Sequence, residues 1–207
     1  MTNAYDDAAL HRLLDVVERD VVPLTRAGVD RGDKLFGAAV LRADDLSLVV
    51  AGTNNETVNP LWHGEVDALN RFFALPADER PAPADCVLLA THEPCSLCLS
   101  AITWSGFRRF AYVFSHRDSA ESFAIPYDIA ILQGVYAVPD PDRAAPAPGR
   151  DLYNRQNAYF SSVDLAAEIA ASGDASLATR RASLAATYAA LSDTYQRGKG
   201  AHGIPHA

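Results

Sequence analysis

Between residues 7 and 22 the apolar side chains fall at Leu10, Leu13, Leu14, Val17 and Val21, the spacing of one helical face, and Pro23 predicts the end of that helix. The period then changes. LFGAAVLR at 35–42 and LSLVVAG at 46–52 are short and rich in β-branched residues, and Ala43-Asp44-Asp45 joins them as a hairpin. After the polar loop TNNETVNP, the run HGEVDALNRFFAL returns to helical spacing through Val66, Leu69 and Phe73 until Pro76 stops it. PADERPAPAD at 76–85 reads as a solvated connector and CVLLAT at 86–91 as a buried strand. Pro94 suits a first helical turn, the helix runs to Trp104 before Gly106, and RFAYVFS at 109–115 is the next strand. PYDIAILQG then predicts a short helix and VYAV, at 135–138, a final short strand.

A βαβαβ order opened by a hairpin predicts a three-layer α/β/α sandwich around a five-stranded mixed sheet. From PDPDRAAPAPGRD at 139–151 the composition turns to Pro, Ala and charge, a linker pattern. Two helical patterns follow. The last places Leu177, Leu184, Tyr188, Leu191 and Tyr195 at heptad-like intervals, a seam for the main body or for a second subunit. The expected organisation is a core over 1–138, then a linker and C-terminal helical extension over 139–207.

Composition narrows the partners. A chain of 207 residues with 49% hydrophobic and 21% charged positions suits one folded domain with an appended segment. No apolar run approaches the roughly 18 residues of a membrane helix, and the first residues carry two aspartates where a signal peptide would place positive charge. A cytoplasmic protein with no membrane partner is expected. The net charge of −8, with no basic stretch interleaved with aromatics, repels phosphate backbones. The expectation is therefore a small, neutral or weakly charged substrate and no nucleic acid. Three cysteines, including one CxxC, favour metal or redox chemistry in a reducing compartment over a disulfide framework.

Cys95 and Cys98 sit at the start of a predicted helix, both sulfurs on one face at the positive end of its dipole, which favours thiolates. Alone, a CxxC is equally a redox pair or helix packing. His63 opens the preceding crossover helix, and such a histidine can simply cap it. Together, one imidazole and two thiolates form a ligand set that Zn²⁺ prefers, with a fourth position left for water. Glu65, two residues from His63, diverges from it on a helix and lies beside the metal rather than on it, placed to move protons. A closed structural site, with His92 as fourth ligand, is the alternative; Cys86, at the far end of its strand, reads as core.

HGE at 63–65 followed by EPCSLC at 93–98, each on a crossover helix, resembles the zinc-dependent cytidine and nucleobase deaminase superfamily, whose signature is H-x-E then P-C-x-x-C. The likeness covers roughly residues 30–138 and is nearest to guanine deaminase-like members. It implies zinc on His63, Cys95 and Cys98, Glu65 as proton shuttle, and a ring held by Asn54 and by main-chain amides near Gly64 and Cys95. AESFAIPYDIAIL at 120–132 resembles the segment after the fourth strand of bacterial guanine deaminases, which gives Asp128 the departing amine; a helix cap is its plainer role. Trp62, where many relatives carry a small or aliphatic residue, and Trp104 either line the pocket or fill the core. Tyr153, Tyr159 and Phe160 would allow a C-terminal lid.

The activity so implied is hydrolytic deamination of a free nucleobase or nucleoside-like aminated heterocycle, of guanine or aminopurine type, by a homodimer. The rivals are a cytosine, cytidine or triazine deaminase, an RNA-editing adenosine deaminase, and a non-catalytic zinc-stabilised interaction domain.

Overall fold

The N-terminal apolar stripe forms a helix that does not stop at Pro23. In the computed structural model, which describes residues 4–136, 153 and 155–198, α1 (Asp7–Val16) passes through a π-helical turn (Val17–Val21) into α2 (Val22–Arg31). Asp6 caps the start through Ala9 N–H, and Gly32, at φ 103°, ends it in the left-handed region. Proline inside a regular helix lacks a donor and collides with the carbonyl one turn back. The wider π turn opens the ladder at that point, and Pro23 stands in the first turn of α2, where its N–H is not needed. The expected stop is a change of pitch.

The hairpin forms as β1 (Gly37–Arg42) and β2 (Leu48–Thr53), and β3 (Cys86–His92) and β4 (Arg109–Phe114) follow. The sheet has five strands in the order β2-β1-β3-β4-β5; β1 is antiparallel to β2 and β3, and β3-β4-β5 are parallel. Its fifth strand is not VYAV. Val135 and Tyr136 continue α6 (Tyr127–Tyr136), Ala137 and Val138 lie outside the described residues, and β5 is Ser161–Asp164, paired with Arg109–Tyr112. SSVD has little strand character of its own; the open edge of β4 supplies it.

Alternation splits the sheet between two cores. Ala39, Leu41, Leu89, Ala111 and Val113 face α1, α2, α7 (Leu165–Ser172) and α8 (Ala175–Gly198), whereas Ala38, Val40, Leu88, Ala90 and Tyr112 face α3 (Gly64–Ala74) and α4 (Ser96–Trp104). The three-layer α/β/α expectation holds. The C-terminal seam, Leu177, Leu184, Tyr188, Leu191 and Tyr195, is buried in the first of these cores within the same chain. In α3 the buried face runs through Glu65, Ala68, Leu69 and Phe72 rather than the expected Val66 and Phe73, and Phe73 lies outside under the Arg80 guanidinium. Among the described residues no helix is long and apolar enough to cross a membrane.

Register brings the chemistry to one edge. Gly37 pairs with Thr53 and Ala38 with Ala90, so β1 begins where β2 and β3 end. The chain leaves that edge into α3 and α4, and the two helix N-termini meet there.

Candidate metal centre and active site

His63 and Cys95 are the residues just before α3 and α4, both extended, and neither side chain caps its own helix. Their ligand atoms are therefore available. His63 Nδ1 lies 3.5 Å from Cys95 Sγ and 3.7 Å from Cys98 Sγ, and the three ligand atoms all fall within 4.8 Å of one another. Zinc–sulfur and zinc–nitrogen bonds at a tetrahedral angle put N and S about 3.6 Å apart. The donor set and its spacing fit zinc.

Glycine at 64 makes this approach possible. A Cβ there would stand 2.6 Å from Gly37 Cα and 2.8 Å from Phe36 O, so α3 starts directly against the backbone of β1. Asn54 locks the same turn: its Oδ1 accepts from Gly64 N–H while its Nδ2 donates to Glu56 at 2.9 Å. The bond between Asn54 and Gly64 satisfies one amide of the helix N-terminus and fixes where both residues stand beside the ligand cluster.

Glu65 is 6% exposed in the first turn of α3, and its carboxylate hydrogen-bonds Cys98. Burial, reinforced by the Cys95 thiolate, pushes its carboxyl up to about 7, where it can both accept and release a proton. Burial opposes charge on His63, but the Cys95 hydrogen bond and the nearby Glu65 and Glu56 carboxylates outweigh it and raise the imidazole to about 9. Cys95 is lowered by the hydrogen bond from Cys98 and by His63, while burial and Cys95 raise Cys98. A metal that takes both sulfurs must displace any proton they hold.

His92 is not a ligand. Its Nδ1 pairs with Thr91 Oγ1 at 2.9 Å, and Phe36, Phe114, Phe123 and Tyr188 enclose the ring. Burial, with a contribution from His116, pushes it down to about 3. Cys86 is buried at the opposite end of β3, as expected.

Asp128 is brought to the site. Half-buried in the first turn of α6, it is pushed up to about 6 by burial and by Cys95, against the charges of His116, His63 and Lys34. Trp62 is half-buried next to His63. Trp104 is not brought to the site: it ends α4, a helix length from Cys95, and is 91% exposed. An amphipathic helix end gives no local signal that separates pocket from surface.

The strings missed the supports. Glu93 is buried; its Oε2 accepts from His116 N–H at 2.9 Å, and Oε1 accepts from Tyr153 Oη at 2.8 Å and pairs with Arg155 at 3.1 Å. Tyr153 thus fastens the C-terminal segment to the turn before Cys95, whereas Tyr159 is 71% exposed and Phe160 packs on Phe110. Glu93 stood in the EPC string, and its place between β3 and the metal helix was the one signal that could have found it; Glu56 and Lys34 carried no such signal.

Residues 19–114 match the family model for the "cytidine and deoxycytidylate deaminase zinc-binding region", so the resemblance carried by HGE and EPCSLC is borne out over that span. Guanine deaminase of Bacillus subtilis is 34% identical over 104 residues, 49% of this chain and 64% of that protein. A probable cytosine deaminase of Schizosaccharomyces pombe is 27% identical over 100 residues, 48% of this chain and 59% of that one. The chain thus spans under two thirds of the length of either relative. Among solved structures, guanine deaminase from Nitrosomonas europaea superimposes with a TM-score of 0.44 at 26% identity, covering 78% of this chain and 81% of that one.

Proposed function

Because residues 19–114 match the zinc-binding region of the cytidine and deoxycytidylate deaminases, we propose that the protein is a zinc-dependent hydrolytic deaminase of a free nucleobase or nucleoside-like aminated heterocycle. The observation that carries this reading is the convergence of His63, Cys95 and Cys98 beside a buried Glu65 that is not one of the ligands. His63, Cys95 and Cys98 would hold the zinc, which would supply the Lewis acidity that makes water a nucleophile near neutral pH.

Glu65 supplies the proton traffic. Its carboxylate takes a first proton from the attacking water and delivers it to the ring nitrogen, then takes the proton left on the added hydroxyl and delivers it to the departing amine, so that a C–O bond forms, the C–N bond breaks and ammonia leaves. A group held near 7 is matched to taking and giving protons in turn. Asp128 on α6 takes the amine side of the ring, and Trp62 offers a flat face beside His63. Asn54 and Gly64 fix the turn from which Glu65 reaches the substrate.

A guanine-type or other aminopurine substrate is favoured by the Bacillus subtilis relative and by the position of Asp128. The Schizosaccharomyces pombe relative keeps a pyrimidine substrate as the second reading. Ammonia release from guanine, adenine, cytosine, cytidine and aminated triazines by the zinc-loaded protein separates them. We expect an aminopurine to turn over fastest. Pyrimidine-only turnover selects the second reading, and a zinc-loaded chain that deaminates nothing is a zinc-stabilised interaction domain instead.

The working unit is proposed as a homodimer in the cytoplasm. Leu97 and Trp104, 37% and 91% exposed, share one face of α4, and Ile131 on the neighbouring α6 is 37% exposed, an apolar face suited to a second copy. Free thiols at Cys86, Cys95 and Cys98 suit a reducing compartment.

A further inference from the structure

The loop between β2 and α3 carries a buried acid that the proposed reaction does not use. Glu56 is 3% exposed, turned inward because the loop folds back on itself: Asn55 N–H donates to Trp62 C=O at 2.8 Å and Asn59 N–H to Asn55 C=O at 3.2 Å. Its Oε2 accepts from Asn54 Nδ2 at 2.9 Å and from the Lys34 backbone N–H at 3.3 Å. Its Oε1 accepts from Lys34 Nζ at 3.0 Å and stands 3.7 Å from His63 Nε2, an ion-pair distance. The opposite ring nitrogen, Nδ1, faces the two sulfurs.

We propose that Glu56 is a positioning residue for the metal centre: anchored by Lys34 and Asn54, its carboxylate holds His63 with Nε2–H inward and the Nδ1 lone pair toward Cys95 and Cys98. The inference rests on the zinc reading of that cluster. A neutral imidazole carries one N–H, and an anionic oxygen beside one nitrogen keeps the proton there and leaves the other free to ligate. Lys34 compensates the carboxylate's charge in the interior, and Asn54 ties Glu56 to Gly64, so one network orients both the ligand and the turn that bears Glu65. A solvated polar loop would leave the imidazole free to flip.

The test is zinc affinity, read by competition with a chromophoric chelator and without any turnover, on the wild type, Glu56→Gln and the double variant Lys34→Met/Glu56→Gln, which removes both buried charges. We expect one zinc per wild-type chain and binding about tenfold to a hundredfold weaker in both variants. Nitrogen-15 NMR of the zinc-loaded chains should show His63 metallated at Nδ1 in the wild type and a second, flipped population in Glu56→Gln. If Glu56→Gln does not fold, the double variant decides. A wild type that binds zinc while the folded variants hold it equally tightly overturns this inference alone. Affinity lost only in step with a lowered unfolding midpoint of the metal-free chain assigns Glu56 to packing and also overturns it. A wild type that binds no zinc removes the metal reading, and this inference with it.

Discussion

At the scale of single residues the proposed site separates metal binding from proton transfer. Glu65 lies beside the ligands without belonging to them, so Glu65→Gln should keep zinc at wild-type stoichiometry and lose at least about a hundredfold in turnover. Full activity in that variant refutes the assignment. His92 offers a second measurement. Its ordinary value of 6.5 falls to about 3 in the fold, so below pH 6.5 the unfolded chain takes up a proton that the folded one refuses. Stability should fall as pH drops from about 6.5 toward 3, by up to about 1.4 kcal/mol per unit from this residue. His92→Phe keeps the aromatic packing and removes the titration, and Thr91 Oγ1 retains its bonds to Gly37. Urea unfolding between pH 4 and 7 should therefore show a shallower slope in the variant; equal slopes would mean that His92 protonates inside the folded chain.

At the scale of elements, the C-terminal helix belongs to the body of the molecule. Leu184 is 3% exposed on α8, in the same core as Leu13 and Val17 of the N-terminal helix. Leu184→Ala should cost about 2–5 kcal/mol, read as a lowered urea midpoint that does not depend on protein concentration. A concentration-dependent loss would assign the seam to a second subunit. Ion pairs of Arg180 with Asp15 and Glu18 at 2.6 and 2.8 Å, and of Arg181 with Asp118 at 3.3 Å, fix the helix in register against α1 and α5 (His116–Glu121).

For the molecule as a whole, the net charge of −8 sets what can approach it. We expect no retention of transfer RNA by the zinc-loaded protein at about 0.15 M salt, measured by gel shift or fluorescence anisotropy. Tight, salt-sensitive binding would favour the RNA-editing reading. The exposed face of α4 makes an independent prediction. Trp104→Glu should leave the fold intact and shift sedimentation from dimer to monomer; an unchanged sedimentation coefficient would remove α4 from the interface.

The sequence by itself determined the local pieces: β1 to β4, the helices that bear HGE and EPCSLC, and the ligand types that zinc accepts, because periodicity and side-chain chemistry are properties of a few adjacent residues. It also contained the proposed ligand set, since His63, Cys95 and Cys98 sit at helix starts that the strands feed from one edge. Only the tertiary structure decided the rest. SSVD became β5 because β4 had an open edge, Pro23 passed inside a helix because a π turn relieved it, and Trp104 stayed outside because its helix end is bare. Glu56 became the partner of His63 because the loop's backbone bonds and the Lys34 charge turned a polar-looking residue inward. Each of these depends on groups distant in the chain, whose energies no local pattern of hydrophobic and polar positions encodes.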